Sequence, residues 1–345
     1  MEGTRAIAKD GYTVGWVCAL PSEMAAAKVM LDEIHPDLAE QDPSDHNNYI
    51  LGKIQNHNVV VACLPAGVYG LTPAATVAKD MLRTFKSIRF GLMVGIGGGA
   101  PSLKHDIRLG DVVVSQPSGT SGGVIQYDRG KTIQGGEFQR TGMLNAPPTV
   151  LLSALARVQT NHLCGDTEIP SYLSYIIIKR PKMKTYAYQG TSNDILYRAE
   201  YDHSDSNSDQ IVMCDQCNRA QEIQRPTREN TEPEIHYGNI ASGNQVIKHG
   251  ATRERLREEL DVLCFEMEAA GLMLDFPCLV IRGICDYADS HKNKRWQNYA
   301  AATAAAFAKE LLSVMTPERV CQEKSILQLV SGMHPPDFFS PIQSI

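Results

Sequence analysis

Phe265 to Gly271 reads FEMEAAG, and Arg282 to Asp289 reads RGICDYAD. The first stretch closes an apolar strand and is expected to open a helix, so Glu266 and Glu268 fall at a strand–helix junction. The second continues an apolar strand predicted over Pro277–Ile284, with Asp286 just past its end. Strand, helix, strand in this order predicts parallel pairing, and in open α/β sheets chemistry collects outside the carboxyl ends of the strands. A carboxylate can hold a diol through two hydroxyl protons, and a lone Asp can pass a proton to a leaving group.

Working outward, the same alternation recurs. Tyr12–Leu20 (YTVGWVCAL) reads as a buried strand, and Pro21-Ser22-Glu23 opens a helix through Met30. Asn58–Leu64 is a strand, Pro73–Phe85 a helix, and Ile88–Ile96 a strand running into Gly97-Gly98-Gly99. Asp111–Ser115 is a strand and Thr149–Gln159 an amphipathic helix. Regularity then lapses from about 160 to 233, a polar stretch containing YDHSDSNSD, read as an insertion. It resumes with a strand at Ile235–Ala241, a charged helix at Lys248–Leu260, and an Ala-rich helix at Arg295–Met315. The tail from Thr316, with several prolines, is expected to lack order. The predicted fold is α/β: a single domain over 12–315 built on a mixed, mostly parallel twisted sheet wrapped by helices, followed by the tail at 316–345.

A net charge of −6 over 345 residues argues against a general nucleic-acid binder. No apolar run reaches the length of a membrane span and no signal-peptide core opens the chain, so a cytoplasmic location is expected. Nine cysteines is an odd number. Cys18, Cys63, Cys264, Cys278 and Cys285 stand in apolar strands, where a free thiol behaves as a small hydrophobe.

Each candidate site residue admits a plain reading. Glu23 in a first helical turn complements the helix dipole. Gly97 and Gly98 suit a tight turn with positive φ, and no Walker loop follows them. Ser242 or Asn244 in ASGNQVI caps a helix. Met267 packs in a core, Glu266 is a structural carboxylate, and Asp286 caps a helix. His291, Lys292, Lys294 and Arg295 form a solvated basic loop.

Taken together and in order, these motifs resemble the purine nucleoside phosphorylase/nucleosidase superfamily from about Tyr12 to Met315. Within it the chain is most similar to the methylthioadenosine/adenosylhomocysteine nucleosidases and to related domains common in fungal proteins. The resemblance implies that Glu23 activates a water and that Gly97 and Gly98 approach the nucleoside. It implies that Val246 and Ile247 line the base pocket, with no aromatic residue at Val246, and that Glu266, Met267 and Glu268 carry the sugar, Glu268 on the ribose hydroxyls and Met267 on its apolar face. Asp286 is then the general acid toward the base, with Cys285 where many relatives carry Ser. To be protonated near neutral pH, Asp286 needs burial or a neighbouring negative charge. Phosphorylases of the superfamily carry a GDP-containing loop with an Arg after the first strand; its absence here favours hydrolysis.

The expected activity is hydrolysis of the N-glycosidic bond of an adenine nucleoside or nucleotide. ATP leads because the chain looks closer to superfamily members, linked to fungal and bacterial defence proteins, that remove adenine from ATP, and because His291, Lys292, Lys294 and Arg295, aided by Arg225, Arg228 and His236, form a candidate phosphate grip. The partner is a small-molecule purine nucleotide or nucleoside, with no nucleic acid, membrane or cofactor, and a homo-oligomer, a dimer first, is expected. A phosphorylase and a non-catalytic nucleotide-binding module are the rival readings. Cys214-x-x-Cys217 offers two of the four ligands a structural zinc wants, with Cys164, His203 and His236 as irregularly spaced companions. No metal is assigned from sequence.

Overall fold

The computed structural model describes residues 7–203, 214 and 217–331. Its strands are β1 (Val14–Cys18), β2 (Glu33–Ile34), β3 (Tyr49–Ile54), β4 (His57–Cys63), β5 (Phe90–Gly99), β6 (Val112–Ser115), β7 (Val124–Gln126), β8 (Gly130–Thr132), β9 (Phe138–Arg140), β10 (Ile235–Ser242), β11 (Val262–Glu266) and β12 (Cys278–Asp286). Its helices are α1 (Pro21–Met30), α2 (Leu71–Thr84), α3 (Thr149–Leu163), α4 (Ile169–Lys179), α5 (Gly250–Leu260), α6 (Gln297–Ser313), α7 (Pro317–Gln322) and α8 (Ile326–Ser331).

The main sheet runs β11-β10-β6-β12-β5-β1-β4-β3-β2, with β7 added to β10. Its centre is parallel: β4–β1–β5–β12 on one side and β6–β10–β11 on the other. Antiparallel pairing joins β12 to β6 and builds the β2–β3–β4 edge. Strands buried on both faces read as continuous apolar runs, which is why VGWVC and CLVIRGICD were visible in the sequence. One feature was not: β11 turns back onto the far end of β5, with Cys264 opposite Gly99 and Phe265 opposite Gly98. This closes β5, β12, β6, β10 and β11 into a ring and gathers the ends of three strands at one place. Beside it the β12–β5 ladder slips: Ile284 faces Gly97 and Asp286 faces Gly98, so β12 spends two residues where β5 spends one.

Two apolar layers share the sheet. One face packs α2, through Ala74, Val77, Ala78 and Met81, with Phe85 and Phe276. The other packs α1, α3, α4 and the alanine-rich α6 around Trp16, Phe90 and Leu92. The small side chains of α6 let it lie close on the sheet, and Ala300 to Ala302 and Ala304 to Ala306 are all buried.

Several expectations change. The helix expected after FEMEAAG is a single 3-10 turn, Ala269–Gly271. Gly97 to Gly99 lie within β5 without positive φ, so no tight turn is made there. The segment read as a structureless insertion from 160 begins with the end of α3 and then α4, whose Ile169 and Ile176 are buried in the second layer. Its polar composition hid an apolar face. The tail is ordered as far as Ser331: α7 and α8 bury Val320 and Ile326, and the remaining residues lie outside those described. The strand cysteines are free thiols, buried except for half-buried Cys63. Among the described residues no helix is long and apolar enough to cross a membrane.

Candidate functional site

The ends of β1, β5, β11 and β12 surround a cavity of about 500 Å³. It is lined by Glu23, Gly97, Gly98, Val246, Ile247, Glu266, Met267, Glu268, Asp286, Lys292 and Lys294 among others. These eleven positions singled out from sequence therefore meet in one place.

Glu23 sits three residues past the N-cap of α1 and bends back over it. One carboxylate oxygen accepts the N–H groups of Ala19 (2.7 Å) and Leu20 (2.9 Å); the other accepts Ile96 N–H (2.8 Å) from β5. Burial raises its pKa, opposed by the nearby Arg282 guanidinium and these three donors. A Cβ at position 95 would fall 2.5 Å from the same oxygen, so Gly95 is what lets Glu23 reach the strand. The helix-dipole reading thus holds, and the side chain still faces the cavity.

Arg282 is the residue that sequence reading missed. It is fully buried in β12 and donates to Glu266, to Glu268 (3.5 Å) and to the Ile96 carbonyl (3.4 Å). One guanidinium therefore offsets three carboxylates, since it also lowers the pKa of Glu23. The only sequence signal was a single cation inside CLVIRGICD. A buried charge of this kind must be paired.

Glu266 is largely spoken for. Besides Arg282 it accepts the N–H groups of Glu268 (3.1 Å) and Ala269 (3.0 Å), and its side chain has no exposed surface. The residue lines the cavity, but its carboxylate is engaged by Arg282 and the turn beneath, which leaves Glu268 the freer of the two for a sugar. Glu268 is more open. Burial, then the charges of Glu266 and Glu23 against the relief from Arg282, push its pKa up to about 7. Met267 is half-buried between the two.

Asp286 differs from expectation in its neighbours. It accepts Ala288 N–H (2.9 Å), the Cys285 thiol (3.0 Å) and the Lys292 ammonium (2.8 Å). A cation, and not a second carboxylate, stands against it. Burial works against the Lys292 ammonium, but Asp286 holds its pKa above the usual lysine value. Cys285 stays a thiol, its pKa raised by burial and by Asp286. Position 98 admits only glycine, because a Cβ there would lie 2.8 Å from the Asp286 oxygen and 3.0 Å from Ala288. Ala288 itself holds φ at 51°, a left-handed value that costs energy for a non-glycine residue.

The 242–248 segment forms the remaining wall. Ile247 is buried and Val246 is half exposed at the rim. Tyr127 donates to the Gln245 carbonyl (2.7 Å) and fixes the segment. Ser242 and Asn244 do cap, but elsewhere: Ser242 accepts Ala270 N–H (2.9 Å) and Asn244 accepts Leu71 N–H at the start of α2 (3.2 Å). Lys248, also missed, joins Lys292 and Lys294 on the cavity lining, and among the described residues no arginine lines it.

Four expected residues lie elsewhere. Arg228 grips Asp111 with both terminal nitrogens (2.7 Å each), and His236 bonds the same carboxylate (2.9 Å). Arg225 pairs with Asp194 (3.0 Å) and covers the Tyr287 ring. Arg295 bonds Asn193 and lines a separate cleft with His291 and Cys214. Arg228 and Arg225 fasten the segment after 217 to the sheet, a structural use that leaves neither turned to the cavity.

The cavity offers an acceptor for a water proton, a carboxylate for a diol and a hydrogen-bonded acid–lysine pair. A nucleotide-binding leucine-rich repeat (NLR)-like protein of Hyaloscypha variabilis is 49% identical over 90% of this chain, which spans 30% of that protein's length. The ATP nucleosidase Cap17 of Escherichia coli is 25% identical over 85% of the chain, and half of Cap17 is covered. Among solved structures, 5'-methylthioadenosine/S-adenosylhomocysteine nucleosidase from Neisseria meningitidis, in complex with methylthio-immucillin-A, superposes with a TM-score of 0.54 at 17% identity, over 88% of this chain and 99% of that one. The family model of the phosphorylase superfamily matches residues 13–314. That match runs from the strand before Glu23 to the helix after Asp286 and takes in the whole cavity between them, so the chain belongs to the phosphorylase superfamily.

Proposed function

We propose that the protein is a nucleosidase. It hydrolyses the N-glycosidic bond of an adenine nucleoside or nucleotide, with ATP the favoured substrate, releasing adenine and ribose 5′-triphosphate. The observation that carries this reading is that Glu23, Glu268 and Asp286, from three separate elements, line one cavity of about 500 Å³.

In the proposed reaction, Glu268 accepts two ribose hydroxyl protons and Met267 covers the sugar. As C1′–N9 stretches, its electron pair passes into the base, and N7 takes a proton from Asp286. The Asp286 carboxylate left behind is stabilised by the Lys292 ammonium, 2.8 Å away. The oxygen of a water held by Glu23 bonds to C1′, and Glu23 takes the proton released. Acid and base from opposite sides follow the logic of inverting glycoside hydrolysis. Val246, Ile247 and the 97–98 stretch of β5 hold the base. ATP is favoured on the likeness to the ATP nucleosidase and on Lys248 and Lys294, both exposed at the rim, as a phosphate grip.

The test is to incubate the pure protein with ATP, adenosine, inosine and methylthioadenosine, with and without phosphate, and to identify products by chromatography and mass. Adenine and ribose 5′-triphosphate should form from ATP at the same rate in both buffers. Formation of a sugar 1-phosphate only when phosphate is present would mean a phosphorylase. No turnover of any of the four would favour the binding-module reading.

A further inference from the structure

The segment between α4 and β10 carries Cys214 and Cys217, which the proposed chemistry does not use. Their sulfurs and a ring nitrogen of His203 lie within 4.8 Å of one another. His203 and Cys217 are buried and Cys214 is half-buried. Tetrahedral zinc, with bonds of about 2.3 Å to sulfur and about 2.0 Å to nitrogen, sets its ligand atoms roughly 3.3–3.8 Å apart. Small side-chain adjustments bring the three to that spacing. Of the companions expected from sequence, Cys164 ends α3 and His236 bonds Asp111, so neither joins.

His291 stands beside the cluster. Its ring lies 5.6 Å from that of His203, centre to centre, and stacks on Tyr197 at 4.1 Å. The Cys214 sulfur lies 3.8 Å from its carbonyl oxygen. Both ring nitrogens of His291 are buried without a hydrogen-bond partner among the described residues, Nδ1 standing 3.8 Å from an Asp289 oxygen and Nε2 with no such neighbour. Buried polar atoms left unpaired are rare and call for an explanation. Tyr197 and Tyr201 flank the ring and hold it in place.

We propose that His203, Cys214 and Cys217 bind a zinc ion, with His291 as the fourth ligand. Four protein ligands close the coordination shell, so the ion is structural. It ties the 180–233 segment to the loop that carries Lys292, one residue beyond His291. Cys-x-x-Cys followed by a distant His supplies the soft thiolates and imidazoles that zinc prefers.

The experiment uses the full chain, free of any histidine tag and purified without chelator. Elemental analysis should find about one zinc per chain. Cobalt(II) exchanged into the site should give the visible absorption of a tetrahedral thiolate centre. Cys214→Ser with Cys217→Ser should abolish both signals, and His291→Ala should weaken zinc binding at least tenfold, read by competition with a chromogenic chelator. If the double variant does not fold, zinc added back to chelator-treated wild type decides, and it should raise the melting temperature where magnesium does not. Wild-type protein with both thiols titratable but no zinc, or a Cys214–Cys217 disulfide seen as the loss of two hydrogens in the mass, would overturn the proposal. So would zinc retained by the folded double variant. Unweakened binding in His291→Ala would remove the fourth ligand. None of these readouts depends on nucleosidase activity.

Discussion

Three carboxylates carry the proposed reaction, and each can be tested by the smallest change that removes its charge. Asp286→Asn and Glu23→Gln keep shape and should lower kcat by about 10²–10⁴, the usual worth of a general acid or base; adenine release under saturating substrate measures it. Near-normal turnover in either variant removes that residue from the mechanism. Glu268 predicts a pH profile. With its pKa pushed up to about 7 by burial and by Glu266 and Glu23 against Arg282, it is protonated below that pH and cannot accept two hydroxyls. The rate constant kcat/KM should rise with pH and level off above about 7. The stability term has the opposite sign. A carboxyl raised from 4.5 favours the folded state below that value, and the benefit is lost as pH climbs through about 7. Glu268→Gln should therefore lose the kinetic limb and melt higher than wild type at pH 8. At this scale the sequence was legible where a carboxylate followed an apolar run. It was silent on Arg282, whose partners Glu266 and Glu268 lie at and just beyond the end of another strand. It misled on Arg225 and Arg228, whose partners Asp194 and Asp111 are remote in the chain.

Elements were legible where burial on both faces wrote long apolar runs. They were illegible where packing selects one face of a mixed segment. α4 is the clearest case: IPSYLSYIIIK has a buried side at Ile169 and Ile176, yet it sits between polar stretches that read as an insertion. Tyr186 beyond it donates to the Ser22 carbonyl (2.9 Å), next to Glu23. Much of 160–233 is therefore scaffold for α1 and α6, not a loop laid over the substrate. Ile176→Ala should cost about 2–5 kcal/mol in a denaturant melt, as cavity-forming core changes do. A cost under half a kcal/mol would restore the appended-loop reading. The return of β11 onto β5 left no trace in periodicity either, because a strand end pairing antiparallel with two glycines has no side-chain signature. That closure is what brings Glu266 and Glu268 beside Asp286.

The whole molecule is mildly acidic, with a net charge of −6, yet the proposed substrate is a polyanion. An acidic protein gains no long-range attraction for such a ligand, so local charge must do the steering. The fold class and the set of strands that carry the site were readable from one sequence; the charge layout inside the cavity was not, because it is assembled from strand ends brought together by the sheet. If Lys248 and Lys294 steer phosphate, raising salt should depress kcat/KM for ATP and leave adenosine nearly unchanged, since exposed charges are screened over about 8–10 Å. Equal loss on both substrates would put phosphate recognition elsewhere. The layout also has a direction. The inner end holds Glu23, Glu266 and Glu268 against the single Arg282, while the mouth holds two exposed lysines. Going inward, the lining passes from cations to carboxylates. A nucleotide entering base first leaves its phosphates beside the lysines at the mouth; one entering phosphate first brings like charges together. The cavity is polarised like a one-way socket, and polarity alone, before any contact is made, sorts the two ends of the ligand.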